Sequence, residues 1–259
     1  MTAHRTLLAF DAAGRGCSAA VWRDGRVLAA DRAAMARGQA ERLVPMIESV
    51  IQAAGIAHTD LDALAVTTGP GAFTGVRIGL ATARGYALAL GIPAVGIGSL
   101  TAIAGGTHAE ERAGRTLLVL IDAKRADVYA QAFHPDLSPA TAPMALTPAA
   151  LDAALPPGPL LLAGDGDAGA QDALRAAGRD LTRSSAPALA DPGTIAQLAA
   201  KDPLPAADAP PPRPVYLRPP DVTWPAGHGP REPAGAESVG AASTGAASTG
   251  AASTGEDPA

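Results

Sequence analysis

The sequence predicts an α/β fold of mixed sheets with helices on their faces, built as two similar halves. Three observations predict it. The first half runs strand, hairpin and strand, then alternates helix with strand. Midway, an apolar run ending in aspartate reopens the pattern: LLAFDAAGRGCSAAVW at 7–22 is echoed by LLVLIDAKRADVYAQAF at 117–133, with Asp11 and Asp122 at matching places. Apolar residues make up 47% of the 259, enough for a core of that size. Alanine and leucine dominate both echoed segments, so shared composition is the competing account of the likeness.

The elements follow in order. Strands are expected at Thr6–Phe10, Cys17–Trp22 and Arg26–Asp31, with Asp24-Gly25 as the tight turn between the last two. A helix from Gln39 to Ala54 ends at Gly55. Leu64–Thr68 reads as a strand, Gly69–Phe73 as a glycine-rich turn, and Thr74 as the cap of a long helix to Leu90, stopped by Gly91 and Pro93. Ala94–Ile97 is a short strand and Leu100–Ala104 a short helix. In the second half, Leu117–Ile121 and Leu160–Ala163 read as strands, and Gly169–Ala177 and Pro192–Ala200 as helices. The expected lobes span 1–105 and 106–222. Prolines crowd the chain from Pro203 to Pro233, AASTG occurs three times over Ala241–Gly255, and Val239 is the only large apolar residue after Pro225. Such a segment buries too little surface to offset its ordering entropy, so 223–259 is expected to be a disordered tail.

Composition excludes several function classes. Aromatics are 3%, which argues against recognition by rows of stacked rings. With 20 basic and 25 acidic residues the formal charge is −5, so there is no global attraction for a phosphate backbone. The single Cys17 rules out an internal disulfide framework and a multi-cysteine zinc site. The first residues carry no export signal and no run of about 18 apolar residues occurs, so the chain reads as cytoplasmic, without a membrane span.

Two segments have the form of anion sites. In Asp11-Ala-Ala-Gly14-Arg-Gly16-Cys-Ser18 a carboxylate ends a strand, and glycines and a hydroxyl follow in the turn. That arrangement can orient hydrated Mg²⁺ and offer N–H groups to phosphate; an ordinary hairpin with a solvated aspartate fits equally. In Thr67–Gly75 a strand, a glycine turn and a helix start could also hold an anion, although no Walker-type Gly-Lys-Ser/Thr follows. There, spacing favours a structural role: Gly69 and Gly71 for chain reversal, Gly75 and Gly79 for close packing. Asp122-Ala-Lys124-Arg125 with Asp127 and Tyr129 is a dense polar cluster, by default a solvated hairpin.

Two helices look over-apolar. The first carries an apolar stripe of Ala40, Leu43, Val44, Ile47, Val50, Ile51 and Ala54, with Pro45 and Met46 off the stripe. The second is apolar nearly all round, and Gly75, Gly79 and Ala83 at i, i+4 and i+8 would admit another helix closely. Burial between lobes and a protein–protein interface both explain this. His4, His58, His108, His134 and His228 include no helical metal pair, no Gly-x-Ser-x-Gly elbow occurs, and Cys17 has no evident histidine partner.

The run AVTTGPGAFTGVRIGLATARGYALALGIPAVGIGSLTAIA resembles the TsaB (YeaZ) family, as do LLAFDAAGRGCSAAV, QAERLVPMIESVI, DAKRADVYAQAF and PVYLRPPD; together they span about 1–222 in the expected order. The resemblance implies two actin-like ATPase (ASKHA, ribonuclease H-like) lobes. It implies a non-catalytic subunit that pairs with the catalytic paralogue TsaD, joined by the ATPase TsaE, in moving threonylcarbamoyl to N6 of adenosine 37 in tRNAs reading ANN codons. No cofactor of its own is implied, tRNA is reached only through the complex, and a homodimer is the alternative state of the lone chain. The implied interface uses the helix of Glu41, Arg42, Leu43, Met46 and Ile47 and the helix of Gly75, Arg77, Gly79, Ala83 and Tyr86. The paralogue's His-x-Glu-x-His metal motif has only His108 at the comparable place. Gly38-Gln39-Ala40 stands where many relatives carry His-Ser before Glu-Arg-Leu. The alternative function is an ATP-dependent phosphotransferase, with Asp11, Gly14, Ser18 and Asp122 around a weak or vestigial nucleotide site.

Overall fold

The computed structural model describes residues 5–166 and 168–218. The expected tail at 223–259 lies outside the described residues, as do His4 and His228.

The first sheet holds β1 (Thr6–Asp11), β2 (Gly16–Arg23), β3 (Arg26–Ala34), β4 (Ala63–Thr67) and β5 (Ala94–Ile97) in the order β3-β2-β1-β4-β5. β1 to β3 form an antiparallel meander, and β4 and β5 continue parallel to β1. The second sheet repeats this plan. β6 (Thr116–Asp122), β7 (Val128–Phe133) and β8 (Met144–Leu146) are the meander; β9 (Leu160–Gly164) and β10 (Leu181–Arg183) are the parallel arm, in the order β10-β9-β6-β7-β8. The duplication read from 7–22 and 117–133 is therefore one of topology: β1 and β6 each sit at the centre of a sheet and end in aspartate.

Both faces of β1 are covered, and its alternation shows how. Leu7 and Ala9 face one cluster with α3 (Ser99–Gly105) and α6 (Pro192–Ala199), while Leu8 and Phe10 face another with α1 (Gln39–Ala54) and α2 (Phe73–Leu90). The first cluster also takes Leu117, Val119 and Ile121 of β6, so α3 and α6 fill the space between the two sheets. The outer face of the second sheet packs on α5 (Ala168–Ala176) and on residues 148–155. α4 (Ala109–Arg112) is a single turn leading into β6.

Three helix ends carry caps that match their local chemistry. Gly55 and Gly91 cap α1 and α2 at φ 67°, the left-handed conformation that glycine adopts without a Cβ penalty. Asp191 caps α6, accepting from the Thr194 amide at 3.0 Å. Thr74 does not cap α2. That helix starts at Phe73 behind Ala72, whose amide donates to the Ala13 carbonyl at 2.8 Å and whose side chain makes no cap bond.

The apolar stripes are oriented differently from the sequence reading. α1 buries Leu43, Met46, Ile47, Val50 and Ile51, which is the i, i+3, i+4, i+7, i+8 set. Met46 is fully buried, whereas Val44, about 100° round the helix from Leu43, is 43% exposed. α2 buries Gly75, Val76, Gly79, Leu80 and Ala83. Its small-residue row faces the first sheet, not another helix: a methyl on Gly79 would meet Val66 at 3.3 Å, and one on Gly75 would overlap the Ala12 carbonyl oxygen. The other side of α2 is open, with Leu88 88% exposed.

Residues 203–218 run without regular structure along the β5–α2 side. The Val215 amide donates to the Thr68 carbonyl at 2.8 Å, and Arg84 reaches the Pro212 carbonyl at 3.3 Å. The Tyr216 hydroxyl accepts from Arg77 Nε at 3.0 Å, with the Arg77 guanidinium 3.6 Å from the Phe73 ring centre.

Gly75→Ala is expected to cost about 1–3 kcal/mol, because the added methyl has only backbone to displace. Gly85→Ala, on the open side of the same helix with nothing within 4 Å of the new methyl, should hold or raise stability. Urea midpoints of the two variants measure the difference.

Candidate functional site

Asp11 closes β1 and is buried. Its Oδ1 accepts the Thr67 hydroxyl and the Ala13 amide, the latter at 3.0 Å. Burial still raises its carboxyl above the usual aspartate range, against the lowering effect of those hydrogen bonds. Ser18 stands opposite Asp11 in the β1–β2 register, and its buried hydroxyl has no protein partner. Gly14 lies in the turn between them, where a side chain would meet Leu189 at 3.0 Å. Asp11, Gly14, Ser99, Ile103, Asp165 and Leu189 line a partly open space of about 20 Å³. That suits one water molecule, whereas ligand pockets run to roughly 300 Å³ and more.

Asp122 sits at the matching end of β6, but its carboxylate is engaged by Arg15 at 2.6 Å. It borders a second, open space of about 590 Å³ between the N-terminal ends of α1 and α2 and the turn after β6, with Arg37, Glu41, Phe73, Thr74 and Lys124 also on its walls. Of the four candidate nucleotide residues, Asp11 and Gly14 line the small space, Asp122 lines the larger one, and Ser18 lines neither, standing opposite Asp11 on β2. The remaining polar cluster is held by the C-terminal run, since Arg218 pairs with Asp127.

The candidate interface residues divide by burial. Leu43, Met46, Ile47, Gly75, Gly79 and Ala83 are buried within this chain. Glu41, Arg42 and Arg77 are exposed and Tyr86 is half-buried. Sequence reasoning missed Val44, Phe73 and Leu88, the large apolar side chains that α1 and α2 leave exposed. It also missed a polar tie between the helices. The Tyr86 hydroxyl donates to Glu48, His58 Nε2 lies 3.1 Å from the same carboxylate, and the His58 and Tyr86 rings stack at 6.2 Å. The Tyr86 bond, then the His58 bond, lowers the Glu48 carboxyl, while burial raises the Tyr86 phenol. No local pattern signals this tie, because its members are 28 to 38 positions from Tyr86 along the chain.

Cys17 is buried, its Sγ 3.7 Å from the Gln39 carbonyl, and burial pushes its thiol up to about 11, away from nucleophilic use. His108 precedes α4. Among the described residues no three His, Cys, Asp or Glu side chains are grouped to hold a metal ion, and no helix is long and apolar enough to cross a membrane.

The raised Asp11 carboxyl fixes a sign. A folded-state value above the unfolded one means that the folded protein holds the proton longer, so this group's contribution falls as pH rises from about 4 towards its folded value. Asp11→Asn, which cannot ionise, should therefore gain on the parent protein as pH rises above about 4 in paired urea-unfolding measurements.

Residues 33–170 match the family model described as TsaD, tRNA N6-adenosine threonylcarbamoyltransferase. The tRNA threonylcarbamoyladenosine biosynthesis protein TsaB of Escherichia coli K12 is 40% identical over 123 residues, 48% of this chain and 52% of that protein. The chain thus spans about half the length of the curated relatives it matches. Two solved structures from Pseudomonas aeruginosa align along their full length. One, an uncharacterised protein with similarity to peptidase YeaZ, has a TM-score of 0.67 at 30% identity over 83% of this chain. The other, YeaZ itself, has a TM-score of 0.66 at 29% identity over 82% of this chain. With its paired mixed sheets, its Gly-Pro-Gly-x-Phe-Thr-Gly turn into α2 and this full-length alignment, the chain belongs to the TsaB (YeaZ) family.

Proposed function

We propose that this chain is a non-catalytic subunit of tRNA threonylcarbamoyladenosine synthesis. It would pair with a TsaD-type paralogue and support transfer of threonylcarbamoyl from threonylcarbamoyl-AMP to N6 of adenosine 37 in tRNAs reading ANN codons. A TsaE-type ATPase would join the pair, and tRNA would be met only in the complex. The observation that carries the pairing is the outer surface of α1 and α2. Val44, Phe73 and Leu88 are exposed there beside Ala81 and Gly85, on two helices already tied together by Glu48, Tyr86 and His58. A surface of large apolar side chains set among small residues gains by being covered, and small residues let a partner helix approach closely. The site geometry supports leaving the chemistry to the partner: the aspartate of β1 faces a space one water in size, and the buried thiol is held protonated.

Co-purification with the TsaD-type paralogue tests this. Leu88→Glu and Val44→Glu put a charge on exposed positions, so the fold should survive. An unpaired charge at a covered contact should weaken the complex by about tenfold or more. Full retention of the partner by both variants would sink the assigned surface. Met46→Glu and Ala83→Arg, by contrast, would charge this chain's own core and should lower its melting temperature whether or not a partner is present.

A further inference from the structure

We propose that Arg15 is an electrostatic clasp that ties the turn after β1 to the ends of β6 and β9, beside the small space lined by Asp11 and Ser99. This inference goes beyond the pairing with a paralogue and does not rest on it. Arg15 projects from the turn between β1 and β2, a turn anchored to its own sheet by the Met35 amide, which donates to the Arg15 carbonyl at 3.0 Å. Its guanidinium reaches the other sheet. Nη2 lies 2.6 Å from Asp122 at the end of β6, and Nε lies 3.5 Å from Asp165 just past the end of β9.

The two carboxylates are set for that role. Asp165 uses Oδ1 to accept the Asp122 amide at 3.0 Å, and Asp122 uses Oδ1 to accept the Lys124 amide at 2.6 Å. Each therefore presents its Oδ2 to the guanidinium. Two neighbouring carboxylates repel, so a cation between them does more than pair with either one. Beside the clasp lies the partly open space of about 20 Å³, lined by Asp165, where the buried Ser99 hydroxyl has no protein partner and Leu189 lies close to Gly14. Removing Arg15 would leave the two carboxylates facing each other with no cation between them and loosen the tie between the two sheets. The Arg15 side chain is 58% exposed, so salt should weaken the clasp in the intact protein.

Hydrogen exchange by mass spectrometry on the full chain, at 0.05 M and 1 M sodium chloride, tests the clasp. In Arg15→Ala the segments 12–16, 97–101, 120–124 and 163–166 should exchange about twofold to fivefold faster than in the parent protein at low salt, the range expected for one partly exposed ion-pair group. Segment 144–148, remote from the clasp, should not change. High salt should move the parent protein towards Arg15→Ala and leave the variant unaltered. Arg15→Lys, which keeps a cation but loses the fork, should fall between them. The clasp is overturned by equal exchange in Arg15→Ala and parent protein, by an equal salt response in both, or by uniform acceleration that includes 144–148. If Arg15→Ala fails to fold, Asp165→Asn takes its place, and the same outcomes decide.

Discussion

Backbone meets backbone where α2 begins. Gly71 and Gly75 lie so close to the Ala12–Ala13 peptide that neither has room for a side chain, and the Ala72 amide donates to the Ala13 carbonyl at 2.8 Å across the contact. This contact pins the start of α2 to the loop after β1, and most other arrangements follow. Beside it, the parallel β1–β4 ladder brings the Thr67 hydroxyl to Asp11. The contact lays the Gly75-Gly79-Ala83 row against the sheet and turns Arg77, Leu88 and Phe73 outward. One close contact thus fixes the helical surface assigned to partner binding.

The two surface helices behave as a unit because polar and apolar ties act on different sides. Inside, five buried residues on each helix hold it to the first sheet. Outside, Tyr86 and His58 converge on one carboxylate of α1. Along the far side of α2, the run ending at Arg218 stacks Tyr216 near Phe73 and accepts Arg77, so that side chain belongs to the chain's own framework as well as to its surface. A preorganised surface loses less side-chain freedom on docking, which suits the partner contact proposed above.

Legibility in the sequence tracked the range of the interaction responsible. Strand β1, helix α1 and the glycine stops at 55 and 91 were readable because alternation, turn period and the left-handed cap are properties of neighbouring residues. The repeated plan of the two sheets was visible in the Asp11 and Asp122 segments, although composition alone could have mimicked it. The side of each helix facing inward was read with an error. With Leu43, Val44, Met46 and Ile47 all apolar, hydropathy does not set the phase, and the shape of the first sheet decides it. β8 and β10, three residues each, have too little length to show alternation. The Arg15 bridge, the Tyr86–Glu48 bond and the Arg77–Tyr216 contact join residues 38 to 150 positions apart, and no local window holds both partners.

One feature of the first sheet has a practical use. The protein contains a single thiol, and β2 places it beneath α1 with its proton firmly held. Alkylating reagents need thiolate and access, and here both arrive only when that layer parts. The rate at which such a reagent modifies the native chain is therefore a stopwatch for separation of α1 from the sheet, with no engineered probe required.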